Sequence, residues 1–461
     1  MRLRGAECLL VVFFAACGSG ANNGPPSSSG GRFGTGGLPN GSGGQETGGS
    51  GGNGTGGGGT GSGGNGAVGT GSGGMIGMTG EGGANSTVPA DGGVDQINGG
   101  TGGGGGTGVG GGAGWWDGAW TKRSKVTITD ADLKEEQTDF QVPVQLDSTN
   151  FNYAATRAGG ADLRFLDASG TVLNHQVDTW DTAGTSVIWL RLPKLMVGST
   201  VVWLYYGNPA AESPTDAQKT AVWPAPYAGV WHLSGDAKDA TPHGFDGMTV
   251  VGGSFVAAKE GRGFMLNRAQ KDHIQLKPDI KLVAEASACT FSAWINPNNI
   301  EDSVNGMVIM TLGKWFTNNH NSYADFNVNA SGQMISHVDP GPSTTAGGYT
   351  RVNSDSGIIK ANEWAWVTYV IDLAGSQERF YKNGALASTK NATFLAKSFI
   401  NMVSSRTVIG TEEDNIDHWY TGMMDEIRLE TGIRSASWIA AQYRSMTVAH
   451  FVKVDPAESK P

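Results

Sequence analysis

A chain of 461 residues with a net charge of −10 and no long run of Lys or Arg is not built to grip phosphate, so nucleic-acid binding is excluded. Most of the 74 glycines lie before residue 115, whereas all 14 tryptophans lie at or after Trp115. The first part therefore has nothing with which to build a core, and Trp115 to Pro461 is long enough for two sandwich-sized domains.

Residues 1–17 read MRLRGAECLLVVFFAAC. Arg2 and Arg4 supply a positive start, and Leu9 to Phe14 an apolar run too short to span a bilayer as a mature helix. The ending Phe14-Ala15-Ala16-Cys17 resembles the lipobox of bacterial lipoproteins. That resemblance implies cleavage before Cys17, lipidation of its thiol and a membrane anchor at the N-terminus. Gly18 in the next position implies, by the same resemblance, export to the outer membrane or cell surface. An ordinary secretory signal that happens to contain a Cys is the other reading. With Cys8 leaving in the signal and Cys17 lipidated, Cys289 stays alone, so no intramolecular disulfide is expected. Its setting, ACTFSAW, reads as a buried strand and its thiol as a small core hydrophobe.

Residues 18–114 are Gly, Ser, Thr and Asn with scarcely an apolar side chain. Such a segment cannot offset its ordering entropy by burial and is expected to be a disordered leash, with an r.m.s. reach of roughly 50–60 Å. Its glycine runs lack the preceding strand and following helix that a phosphate loop needs.

An all-β fold is expected after the leash: two antiparallel sandwiches, over 115–223 and 229–454. In the first, KVTIT (125–129), QVPVQLD (141–147), ADLRFLDASG (161–170), SVIWLRL (186–192) and VVWLYY (201–206) read as strands separated by turn formers. The order GAWTKRSKVTIT, DFQVPVQLD, ADLRFLDASG, VVWLYYGNPAA resembles a bacterial domain of unknown function. That domain recurs in envelope proteins ahead of LamG-like jelly rolls, and it brings no activity with it.

In the second, WHLSGDAKDATPHGFDG (231–247), GRGFMLNRAQKDHIQL (261–276), CTFSAWINP (289–297) and TVIGTEEDNIDHWYTGMMDEIRL (407–429) carry the pattern. The stretch NEWAWVTYVIDLAGSQERFYKNGALAS (362–388) predicts a strand apolar on both faces, then a hairpin closed by Asn383-Gly384 in a type I′ turn. Residues 435–446 predict a short amphipathic helix with Ser435 as N-cap, and 447–454 a last strand. This set resembles the LamG-like, concanavalin A-like jelly roll, a family that includes glycan-binding lectins, adhesion modules and surface proteins of no known activity.

The family resemblance implies one structural calcium, with Asp239 and Asp425 as acids and the Gly244 carbonyl as donor; no other cofactor is expected. His243 stands where an Asn-type oxygen ligand is usual, and the alternative is that both acids accept hydrogen bonds in turns. For a ligand, the loop KWFTNNHNSY (314–323) places Trp315 beside Asn318, Asn319 and His320, and the polar loop 340–357 adds Tyr349 and Arg351. Aromatic faces beside amides suit a sugar ring, although Trp315 also reads as the core end of a strand. The E-x-D-x-x-E strand pattern that the jelly-roll resemblance implies for a glycosidase does not occur, nor does a G-x-S-x-G, HExxH or Cys–His arrangement, so no catalytic residue is assigned and the protein is not expected to be an enzyme. The expectation is an exported, lipid-anchored binding or adhesion protein whose partner is a glycan or an envelope protein. A structural envelope scaffold and a polysaccharide-acting hydrolase remain the alternatives.

Overall fold

The computed structural model describes residues 114–461 except 278–282, 301–304, 314–321, 342–348, 400–406 and 413–416. The expected leash and signal, with Cys17, lie outside the described residues. The described residues lie in one compact unit, and their regular structure is nearly all antiparallel strand.

The N-terminal sandwich is made from β1 (Lys122–Ile128), β2 (Gln137–Leu146), β3 (Arg164–Leu166), β4 (Val172–Leu173), β5 (His175–Thr179), β6 (Ser186–Leu195) and β7 (Thr200–Tyr206). One sheet runs β1-β7-β3-β4 and the other β2-β6-β5. Period-two alternation fills the space between them with Val126, Ile128, Val142, Val144, Ile188, Leu190, Val202 and Leu204. The five expected strands are present. The pattern did not reveal β4 and β5, nor a one-turn helix α1 (Asp216–Thr220) closed by a capping box between Thr215 and Gln218.

Next come β8 (Tyr227–Trp231), β9 (Gly247–Val251), β10 (Ser254–Ala257), β11 (Arg262–Leu266), β12 (His273–Leu276), β13 (Ala288–Pro297), β14 (Met307–Gly313), β15 (Tyr323–Val328), β16 (Met334–Asp339), β17 (Thr350–Asn353), β18 (Ala365–Asp372), β19 (Gln377–Lys382), β20 (Ala385–Asn391), β21 (Val408–Ile409) and β22 (Gly422–Thr431). They form an inner sheet, β10-β11-β22-β13-β18-β19-β20 with β8 on β22, and an outer sheet, β17-β16-β15-β14-β21-β12-β9. Between the two lies a core that includes Phe291, Phe326, Val367, Tyr369, Phe380 and Ile427. Asn383 at φ 52° and Gly384 at φ 76° make the β19–β20 turn, as the Asn-Gly pair requires.

Both faces of β18 are buried, as its sequence predicts, and the packing explains why. Ala365, Val367, Tyr369 and Ile371 enter the jelly-roll core, while Trp366 and Val370 belong to the core of the N-terminal sandwich. The sheet β2-β6-β5 therefore has two partners. Ile188 and Leu190 face its own sandwich; Trp189 and Gln141 face the jelly roll, where Gln141 Oε1 accepts from Tyr227 Oη at 2.7 Å. Helix α2 (Ala436–Thr447) is wedged into the same seam, with Trp438 against Phe140 and Tyr443 against Trp294. Its N-cap is Ser435, which accepts from the Trp438 amide at 3.1 Å. The closing strand expected over 447–454 is shorter, β23 (Val452–Val454), and it pairs with β1 of the N-terminal sandwich. β24 (Glu458–Ser459) pairs with β1 as well. The last 26 residues thus tie the two sandwiches into one body, a long-range pairing that local pattern does not encode.

Candidate functional site: a polar face on the outer sheet

In β15, Ala324, Phe326 and Val328 point into the core, which turns Tyr323, Asp325 and Asn327 to the opposite face of the sheet. Antiparallel register carries that face across the strands: Asp325 stands opposite Thr311 on one side and His337 on the other, and His337 opposite Arg351. A row of polar side chains crosses four neighbouring strands, and Asp325, Asn327 and His337 in it are buried.

Buried polar groups must be hydrogen-bonded, and these mostly are. The Asp325 carboxylate accepts from Tyr323 Oη at 2.5 Å and the His337 amide at 2.9 Å, and its two oxygens lie 3.0 and 3.1 Å from His337 Nδ1. This fixes the imidazole ring, whose far nitrogen, Nε2, is buried with no hydrogen-bond partner. Asn327 Oδ1 is likewise without one, while Asn327 Nδ2 donates to the Asn305 carbonyl at 3.1 Å. Arg351 donates to Asn353 Oδ1 at 3.0 Å and Asn305 Oδ1 at 3.1 Å. The Tyr349 ring meets His337 edge-to-face at 5.1 Å. Asn305, Tyr323, His337, Tyr349 and Glu412 enclose a cavity of about 30 Å³, room for a water molecule or a ligand hydroxyl but not a sugar ring. Chemically, this is an anchored imidazole, two amides and a guanidinium turned to one place, suited to hydrogen bonding with a polar ligand.

Of the residues expected to bind ligand, Tyr349 and Arg351 meet at this face. Trp315, Asn318, Asn319 and His320 lie outside the described residues. Tyr323, Asp325, Asn327 and His337 went unread, although alternation in YADFNV places the first three on one face, and in MISHVD places His337 opposite the core residues Met334 and Val338.

The residues that the family resemblance assigns to calcium have protein partners of their own. Asp239 is spent on its turn: Oδ1 accepts from the Val230 and Thr241 amides and Oδ2 from Thr241 Oγ1 and the Phe245 amide, at 2.8–3.0 Å. The Gly244 carbonyl accepts from the Lys277 ammonium at 2.7 Å, a cation already in the ligand position. Asp425 takes the Lys259 and Glu260 amides on Oδ2 and belongs to the seam between the sandwiches. Asp239 and Asp425 thus make the hydrogen bonds that the alternative reading of the sequence expects of them.

No curated protein matches this sequence. Among solved structures, domain 4 of AbnA, a GH43 extracellular arabinanase from Geobacillus stearothermophilus, is 15% identical with a TM-score of 0.36, covering 48% of this chain and 98% of that one. The botulinum neurotoxin serotype G binding domain is 13% identical with a TM-score of 0.36, covering 47% of this chain and 50% of that one. A heptameric SAP-like pentraxin from Limulus polyphemus is 14% identical with a TM-score of 0.28, covering 37% and 74%. Likeness this distant carries no argument about ligand or activity. Family profiles are more specific: residues 159–233 match a domain of unknown function, DUF2341, and residues 268–440 match the concanavalin A-like lectin/glucanases superfamily. The chain thus carries a DUF2341 domain followed by a LamG-like, concanavalin A-like domain, in the order its sequence motifs imply.

Proposed function

We propose that this chain is a non-catalytic recognition protein of the bacterial envelope, hooked to a membrane through Cys17, extended on the leash 18–114, and binding a glycan on the polar face of the outer sheet. The observation that carries the reading is the row Asp325–His337–Arg351, whose first two members are buried and whose third is half-buried. One imidazole nitrogen and one amide oxygen there are buried without a hydrogen-bond partner. Sugar hydroxyls both donate and accept, so they can complete such a set, with Tyr349 as an apolar wall. Asp325 holds the ring by both oxygens and so acts as its positioning group rather than as an acid free to transfer a proton.

The test is a glycan array probed with the full chain and with His337→Ala and Arg351→Ala. Glycan hits lost in both variants support the reading; hits retained in both place the ligand elsewhere. Envelope proteins co-purifying without glycan hits would favour the scaffold reading, and release of reducing ends from a polysaccharide would replace binding with hydrolysis. Labelling with a fatty-acid probe, lost on Cys17→Ser, tests the anchor separately.

A further inference from the structure

The seam between the sandwiches holds a second polar cluster. An ordinary strand sends adjacent residues to opposite faces. β22 departs from this at Glu426, which sits at φ 51°, and the register against β13 shifts by one residue there. Met424 and Ile427 stay in the jelly-roll core, so Asp425, Glu426 and Arg428 all turn toward the N-terminal sandwich. His232, just beyond β8, and Asp178, in β5 of the other sandwich, meet them. His232 Nδ1 lies 2.7 Å from Glu426 Oε1, and Ser234 Oγ donates to Asp178 Oδ2 at 2.9 Å. One ligand atom each from Asp178, His232 and Glu426 lie within 4.8 Å of one another.

We propose that Asp178, His232 and Glu426 form a seat for a divalent transition-metal cation of the zinc class, which clasps the two sandwiches together. Three observations converge on it. The donor set is one imidazole nitrogen with carboxylate oxygens, a set that suits zinc and disfavours calcium. Acids outnumber bases there: the carboxyls of Asp178, Glu260, Asp425 and Glu426 share the seam with Arg428, Lys259 and one imidazole. Arg428 is already engaged on the far oxygen of Glu426, at 2.8 Å, which leaves the near oxygen with His232. Finally, Glu260 Oε1 and Asp425 Oδ1, from fully buried carboxyls, have no hydrogen-bond partner. Buried carboxyl oxygens left without a partner are costly unless a hydrogen bond or a cation attends them. The cluster opens into a cleft of about 380 Å³ lined by Asp178, His232, Ser234 and Asp236, a route by which an ion enters.

The experiment uses the full chain, stripped with chelator, dialysed against zinc chloride and then against buffer. Metal content and thermal melting are measured on wild type, Asp178→Asn and, as a control in the same cleft, Asp236→Asn. The seat predicts about one retained equivalent and a melting point raised by zinc in wild type and Asp236→Asn. In Asp178→Asn it predicts affinity weakened about tenfold or more and the melting shift lost. If circular dichroism shows Asp178→Asn to be unfolded, Asp178→Glu replaces it, with weakened binding again expected. Wild type that retains no zinc, or Asp178 variants that bind it as wild type does, would overturn the proposal.

Discussion

Glu378 offers a stringent check on the jelly-roll core. Its side chain points between the two sheets, 1% exposed, with Oε2 accepting from Ser336 Oγ at 2.6 Å and Oε1 unpartnered. Burial pushes its carboxyl up to about 8 from an ordinary 4.5; the Ser336 hydrogen bond pulls the other way, and the charge of Asp325 adds a smaller upward push. The folded state therefore holds this proton more tightly than the unfolded state, and stability falls as pH rises. No penalty exists below pH 4.5; it grows between 4.5 and about 8 and is constant above. Each pH unit inside that window is worth up to about 1.4 kcal/mol, so from pH 5 to pH 8 the carboxyl costs the fold about 3–4 kcal/mol. Glu378→Gln keeps the shape, still accepts from Ser336 and cannot ionise. Urea unfolding of both proteins at pH 5, 6, 7 and 8 should show near-equal stability at pH 5 and a growing advantage for the variant toward pH 8. A difference that stays constant across this range would refute the buried, protonated carboxyl.

Three further outcomes follow from the packing. Arg428 is 1% exposed, with its guanidinium carbon 4.5, 5.0 and 5.4 Å from the ring centres of Trp189, Trp223 and Trp366 and a salt bridge to Glu426. Arg428→Ala strands the Glu426 charge and should cost about 3–5 kcal/mol in chemical denaturation. Gly384 is the second residue of the β19–β20 turn, at φ 76°, and a Cβ there would stand 2.9 Å from Tyr443 Cβ and 3.1 Å from Ala440 Cα. Gly384→Ala should therefore destabilise by about 1–3 kcal/mol, through both backbone strain and the push on α2, and lower the melting temperature measurably. Cys289 is fully buried and its thiol is pushed up by that burial, so a thiol reagent should leave it untouched in the native protein and label it on unfolding.

The sequence alone determined the all-β class, most of the strands, the Asn383-Gly384 turn, the Ser435 cap and the two-faced burial of β18. Each is local: period-two alternation, positive φ and an N-cap oxygen act within a few residues, so they can be read along the chain. Tertiary structure decided the rest. What covers the second face of β18, the pairing of β23 with β1, and the meeting of Asp178 with His232 and Glu426 all join residues far apart in the chain. The bulge at Glu426 shows the limit most sharply: it turns two adjacent acids to one side, against the alternation from which sequence reasoning proceeds. The same holds for the polar face, where alternation sorts Asp325 and His337 correctly within their own strands. Only cross-strand register brings the two together and sets Arg351 beside them.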